Sequence, residues 1–84
     1  EAVEVLHTAG LIALRRGDTE RAVEILAECV TLGADSLEEL SYRLDLARAY
    51  YSDGRPQEAI RQWRRVLEVD PTQPAARAWI GAIS

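Results

Sequence analysis

The sequence predicts an all-α fold, a solenoid of antiparallel helical hairpins. Three observations carry this: apolar residues recur at helical spacing, glycine and proline punctuate the chain, and one segment repeats another at an offset of 37 residues. Residues 15–30 align with residues 52–67, so that Gly17 falls on Gly54, Ala22 on Ala59, Leu26 on Trp63 and Val30 on Leu67. At the same offset Gly10 falls on Ala47 and Ala13 on Tyr50, and 34 residues beyond Ala47 lies Gly81. The expected organisation is one domain: a first repeat over 1–35, a second over 36–73, and the first helix of a third, or a capping helix, over 74–84.

The first helix is expected over 2–16, where apolar residues stand at 2, 3, 5, 6, 9, 12 and 13. Gly17 breaks it in the left-handed terminal position, and Asp18 is the expected N-cap of a second helix over 19–32. That helix carries Ala22, Val23, Leu26, Cys29 and Val30 on one stripe, and Gly33 ends it. Ser36-Leu37-Glu38-Glu39 reads as a capping box, in which Ser36 accepts from the Glu39 amide while Glu39 reaches back. A third helix is expected over 37–53. Gly54 stops it, and Arg55-Pro56 opens a fourth with proline at the first helical position. The fourth helix runs to Val69, the turn Asp70-Pro71-Thr72-Gln73 follows, and 74–83 is the fifth.

Composition narrows the function. The chain is 84 residues long and starts at Glu1 with no methionine, so it is expected to be a piece of a longer protein. A net charge of −4 argues against non-specific nucleic-acid binding, which needs a basic footprint. No run is long and apolar enough to span a bilayer, and no signal peptide is visible. One cysteine cannot close an internal disulfide, so the fold does not depend on oxidation; a reducing compartment fits this without following from it, and a cytoplasmic setting is expected. Catalysis has little to build on: His7 and Cys29, the sole residues of their kinds, fall on different helices, and a zinc site needs three or four ligands. No enzyme activity, cofactor or metal is expected, and Cys29 reads as a small core residue.

The repeated unit resembles the tetratricopeptide repeat, a helix–turn–helix of about 34 residues. Gly10, Ala47 and Gly81 stand at the small position of the first helix, and Ala22 and Ala59 at that of the second. Gly17 and Gly54 mark the turn inside the hairpin, Tyr50 the aromatic position, and Asp70-Pro71 the end of a repeat. Arg43 and Arg77 stand where a large apolar residue is usual, as Leu6 does in the first unit. The first unit is three residues too long, which is read as nearly one extra turn at the start of the third helix. The acidic charge and Asp70-Pro71 set the chain apart from the RNA-reading pentatricopeptide type.

The resemblance implies a right-handed solenoid whose first helices line a concave groove, and a scaffold or adaptor role in binding a partner protein, peptide or helix. In that groove His7, Leu11, Leu14 and Arg15 are expected from the first unit, with Glu4 and Thr8 beside them. Leu44, Arg48 and Tyr51 are expected from the second, with Asp45 and Ser52, and Trp79 from the third, with Ala78 and Ala82. Relatives that grip chaperone C-termini use a basic clamp. Its positions here read His7, Leu11, Asp45, Ala75 and Trp79, among which only His7 could carry positive charge, so the resemblance does not extend to that clamp.

Two surface features complete the expectations. Glu24 and Glu28 of the second helix are the repeat equivalents of Arg61 and Arg65 of the fourth, which predicts ion pairs between repeats. Trp79, Ile80 and Ile83 together would expose an apolar patch, so self-association into a homo-oligomer through the last helix is the alternative function. Recruitment of a substrate or regulator to an enzyme on a longer chain is a second alternative.

Overall fold

Among the described residues the chain forms five helices joined by short turns: α1 (Ala2–Arg15), α2 (Thr19–Leu32), α3 (Glu39–Ser52), α4 (Pro56–Val69) and α5 (Pro74–Ile83). The structure is a computed structural model describing residues 2–83, the side chain of Ile83 excepted. Each helix packs on the next in the order α1–α2–α3–α4–α5, and α1 and α3 touch along a narrower seam. The body measures 31 × 27 × 16 Å. This is the layered, nearest-neighbour packing of a helical repeat.

Glycine turns set the hairpins. Gly17 and Gly54 adopt φ of +82° and +77°, a backbone region other residues enter at a cost, and their side-chain positions face open space. Pro56 occupies the first turn of α4 as its missing N–H requires. Asp18 precedes α2, but its side chain makes no capping bond; its ψ of 72° falls short of the extended geometry that aims a cap at the following amides.

The link between α2 and α3 departs from expectation. The three surplus residues do not lengthen the helix; they lie in the turn before Glu39. Ser36 donates its hydroxyl to the Gly33 carbonyl at 2.6 Å and accepts from the Glu38 N–H at 3.3 Å. The Glu39 carboxylate instead takes the N–H of Asp35 at 2.8 Å and Nε of Arg43 at 2.9 Å. Asp35 is the non-glycine residue held at positive φ, +66°, a conformation that aspartate tolerates better than most.

Two apolar layers fill the interior. Ala13, Ala22, Val23, Leu26, Leu46 and Ala49 form the first, and Ala47, Ala59, Trp63, Val66 and Ala76 the second. Leu26 and Trp63 occupy equivalent places, and both are fully buried. Trp63 stacks on Trp79 with ring centroids 5.1 Å apart and planes 7° from parallel. Its indole Nε1 is buried without a hydrogen-bond partner, so dispersion and area burial hold this ring rather than polar contacts.

The small residues are steric requirements. A β-carbon on Gly10 would stand 2.7 Å from Cδ2 of the fully buried Leu26, while one on Gly81 would meet nothing within 4 Å. Gly10→Ala should therefore destabilise by about 1–3 kcal/mol through overpacking, against roughly 1 kcal/mol of helix propensity gained. Gly81→Ala should be neutral or stabilising, and urea unfolding of the two variants measures the contrast.

The α2–α3 link also carries a pH signature. The Asp35 N–H, and after it Arg43, holds the Glu39 carboxyl below its ordinary value. A depressed carboxylate contributes stability above its unfolded pKa and loses it as pH falls through the folded one. Glu39→Gln should accordingly lower the urea midpoint at pH 7, and by less at pH 3 as the carboxylate begins to protonate. An equal difference at both pH values would contradict the linkage.

Candidate functional site

Along the narrow seam between α1 and α3 the structure ties the two helices with a polar contact. His7 Nε2 lies 2.6 Å from Oδ2 of Asp45, so in the tautomer carrying its proton on Nε2 the ring donates to the carboxylate. Tyr42 packs edge-on to the same imidazole, centroids 4.9 Å apart at 62°. The sequence placed His7 and Asp45 on one surface but gave no sign that they join; helical repeats put equivalent helices side by side, and only coordinates show which side chains meet.

Beyond that contact the surface opens into a concavity of about 350 Å³ lined by Leu11, Leu14, Arg15, Asp45, Arg48 and Ser52. All six are among the residues expected in the groove. Leu11 and Leu14 give it an apolar floor, and Leu14 is half-buried against the first core layer. Among the described residues Arg15 and Arg48 make no ion pair, while Asp45 is engaged by His7. The concavity thus holds two cations free to take an acidic group.

Tyr51 carries the surface toward α5. It is 40% exposed, and its ring lies 4.9 Å from that of Trp79 and 6.4 Å from that of Trp63. A shallower hollow of about 250 Å³ follows at Ala78, Trp79 and Ala82. Leu44 turns away from the groove and packs on the second core layer. Glu4 borders a different hollow of about 210 Å³, with Val3, Leu32 and Tyr42, and Thr8 is simply exposed.

Two other expectations meet the structure differently. The inter-repeat ion pairs are replaced by pairs within α4, Arg61 with Glu58 at 2.8 Å and Arg65 with Glu68 at 3.9 Å. The reason is topological: α3 lies between α2 and α4, so among the described residues neither Glu24 nor Glu28 pairs with α4. Residues that do join α3 to α4 are Arg43 and Gln62, Nη1 to Oε1 at 2.9 Å. The departure of Arg43 from the usual apolar residue was the signal that could have found this bond. On α5, Trp79 and Ile80 are half-buried against the second layer rather than freely exposed, and the Ile83 side chain lies outside the described residues.

Among the described residues no group of three His, Cys, Asp or Glu could hold a metal ion, and no helix is long and apolar enough to cross a membrane. Cys29 is fully buried, its Sγ 3.9 Å from the Val3 carbonyl on α1.

Comparison with known proteins identifies relatives by sequence. The sequence profile of the tetratricopeptide repeat matches residues 1–72. The photosystem I assembly protein Ycf3 of Synechococcus sp. (strain CC9605) is 32% identical over 79 residues, covering 94% of this chain and 46% of the relative. The chain therefore spans about half the length of the curated relative it matches. No solved structure matches it.

Burial, and after it the charges of Glu28 and Asp45, raises the Cys29 thiol above its ordinary pKa of 9.0. The folded chain holds this proton more tightly than the unfolded one, so stability should fall as pH rises beyond the ordinary thiol range. Iodoacetamide at pH 8 should label the native protein far more slowly than the urea-unfolded chain; equal rates would refute the burial.

Proposed function

The chain belongs to the tetratricopeptide repeat family, whose repeats mediate protein–protein interaction, and we propose that it holds a peptide or helix of a partner protein in the concavity between α1 and α3. The observation that carries this reading is the pairing of an apolar floor, Leu11 and Leu14, with two unpaired guanidinium groups, Arg15 and Arg48. A segment with an aliphatic residue beside a carboxylate fits that combination, since arginine binds carboxylates through two parallel N–H donors. Tyr51 and Trp79 extend the contact surface with rigid aromatic area of the kind that concentrates binding energy. The relative is named for the assembly of photosystem I; by extension, this chain acts as a scaffold or adaptor that holds a client protein while others join it. The seam contact between His7 and Asp45 supports the reading, because it fixes the spacing of the two helices that form the walls.

The test is a displayed peptide library selected on the 84-residue chain. Selected peptides should be enriched in Asp or Glu next to an aliphatic residue. Their affinity, read by fluorescence anisotropy, should fall about tenfold in Arg48→Ala, the loss expected for one charge-assisted hydrogen bond. The melting curve should not change, because Arg48 is exposed and unpaired. Peptides that bind equally well to Arg48→Ala and Leu11→Ala would place binding elsewhere.

A further inference from the structure

The outward stripes of the two second helices are charge-inverted copies of each other. At the 37-residue offset Arg21 corresponds to Glu58, Glu24 to Arg61, Glu28 to Arg65 and Leu32 to Val69. The spacing is i, i+3, i+7 and i+11, so each set runs along one face of its helix. That face is turned from the core: Ala22, Leu26 and Cys29 of α2, and Ala59, Trp63 and Val66 of α4, are fully buried on the other side. Arg21, Glu24, Glu28, Arg61 and Arg65 are exposed, and Glu58 is half-buried. The stripes end in two exposed aliphatic residues, Leu32 at 52% and Val69 at 68%.

Within one chain the inverted stripes cannot meet, because α3 stands between α2 and α4. Each stripe also holds like charges one turn apart, Glu24 with Glu28 and Arg61 with Arg65, a spacing that destabilises a helix left uncovered. On α4 the neighbouring Glu58 and Glu68 answer the two arginines. On α2, among the described residues, Glu24 and Glu28 make no ion pair.

We propose that these two stripes form one two-fold interface, on which a second copy of this chain docks back to back. Helices α2 and α4 run in the same direction, since each is antiparallel to the α3 between them. A two-fold axis parallel to them lays α2 of one copy over α4 of the other at the same height. Arg21 then faces the partner's Glu58, Glu24 the partner's Arg61, Glu28 the partner's Arg65 and Leu32 the partner's Val69. Symmetry repeats each pairing with the roles exchanged. Inversion station by station at one offset is what a self-complementary surface requires, and a foreign partner would not need it. Setting α2 over α2 instead puts Glu24 and Glu28 against their own kind, so the stripes also select the register. Exposed ion pairs are individually weak, and each copy carries a net charge of −4, so the dimer is a salt-sensitive one.

A hairpin stacked before α1 or after α5 would leave both stripes open, since α2 and α4 are already flanked on both sides. The concavity of Arg15 and Arg48 belongs to α1 and α3, so either surface can fail without the other.

The test is the mass of the 84-residue chain by sedimentation equilibrium, with charge reversals. The parent should dimerise at low salt, its affinity falling about tenfold or more as NaCl rises from about 0.05 M to about 0.5 M. Glu24→Arg with Glu28→Arg gives both helices basic pairs, Arg61→Glu with Arg65→Glu gives both acidic pairs, and each double variant should be monomeric. Mixed together, the two variants should form a heterodimer with about the parent's affinity, because every stripe again meets its opposite. A parent that stays monomeric at millimolar concentration and low salt would leave the stripes to a different protein and overturn the proposal. A dimer that ignores salt or survives either reversal would place self-association on another face, and would overturn it too. So would a mixture that remains monomeric.

Discussion

At Gly10 the backbone of α1 comes so near α2 that a methyl group has no room beside Leu26, and much else in the first hairpin follows from that approach. Two helices this close leave little space for long side chains where they cross, so the volume of the core shifts outward to Leu26, Leu46 and Val23 between successive layers. Ala47 and Ala59 set up the same arrangement one repeat later, with Trp63 as the filler. Stability then resides in the stacking of layers rather than in any hairpin alone.

Stacking also creates the walls of the groove. When first helices are held at a fixed interval by second helices behind them, their remaining faces form a continuous surface. The His7–Asp45 contact closes one end of the α1–α3 seam and consumes the carboxylate. What is left in the concavity is net positive in a chain whose overall charge is −4. Local charge and total charge point to different partners here, and the local one governs a docked segment because screening confines charge effects to about 10 Å.

The helices were largely legible in the sequence. Thr19, Leu32, Pro56, Val69, Pro74 and Ile83 end helices where glycine, proline and capping residues said they should, because those residues act on the backbone locally. Leu11, Arg15, Arg48 and Ser52, which line one concavity, could be expected on one surface by carrying the family's positions across the repeat, which needs no contact information. What escaped was decided by pairs distant in sequence or by one loop. The Ser36 box failed because Asp35 and Glu39 found a competing bond across a longer turn. The expected Glu24–Arg61 pair failed because the repeat offset relates positions along the chain without saying which helix lies between them. His7 with Asp45 could not be seen, since it joins helices through atoms whose meeting depends on rotamers; Arg43 with Gln62 left one trace, a charge at a position usually apolar.

The two tryptophans share one layer, stacked face to face between α4 and α5 with Tyr51 beside them. The layer formed by α1 and α2 contains neither an indole nor a tyrosine of its own. Indole emission therefore originates in one half of the molecule, whereas far-ultraviolet ellipticity counts every helix and Tyr42, packed on His7 and Gly33, reports the first layer in the near-ultraviolet. The protein carries a built-in optical label for its C-terminal layer, and fraying of the N-terminal hairpin separates the indole signal from the other two.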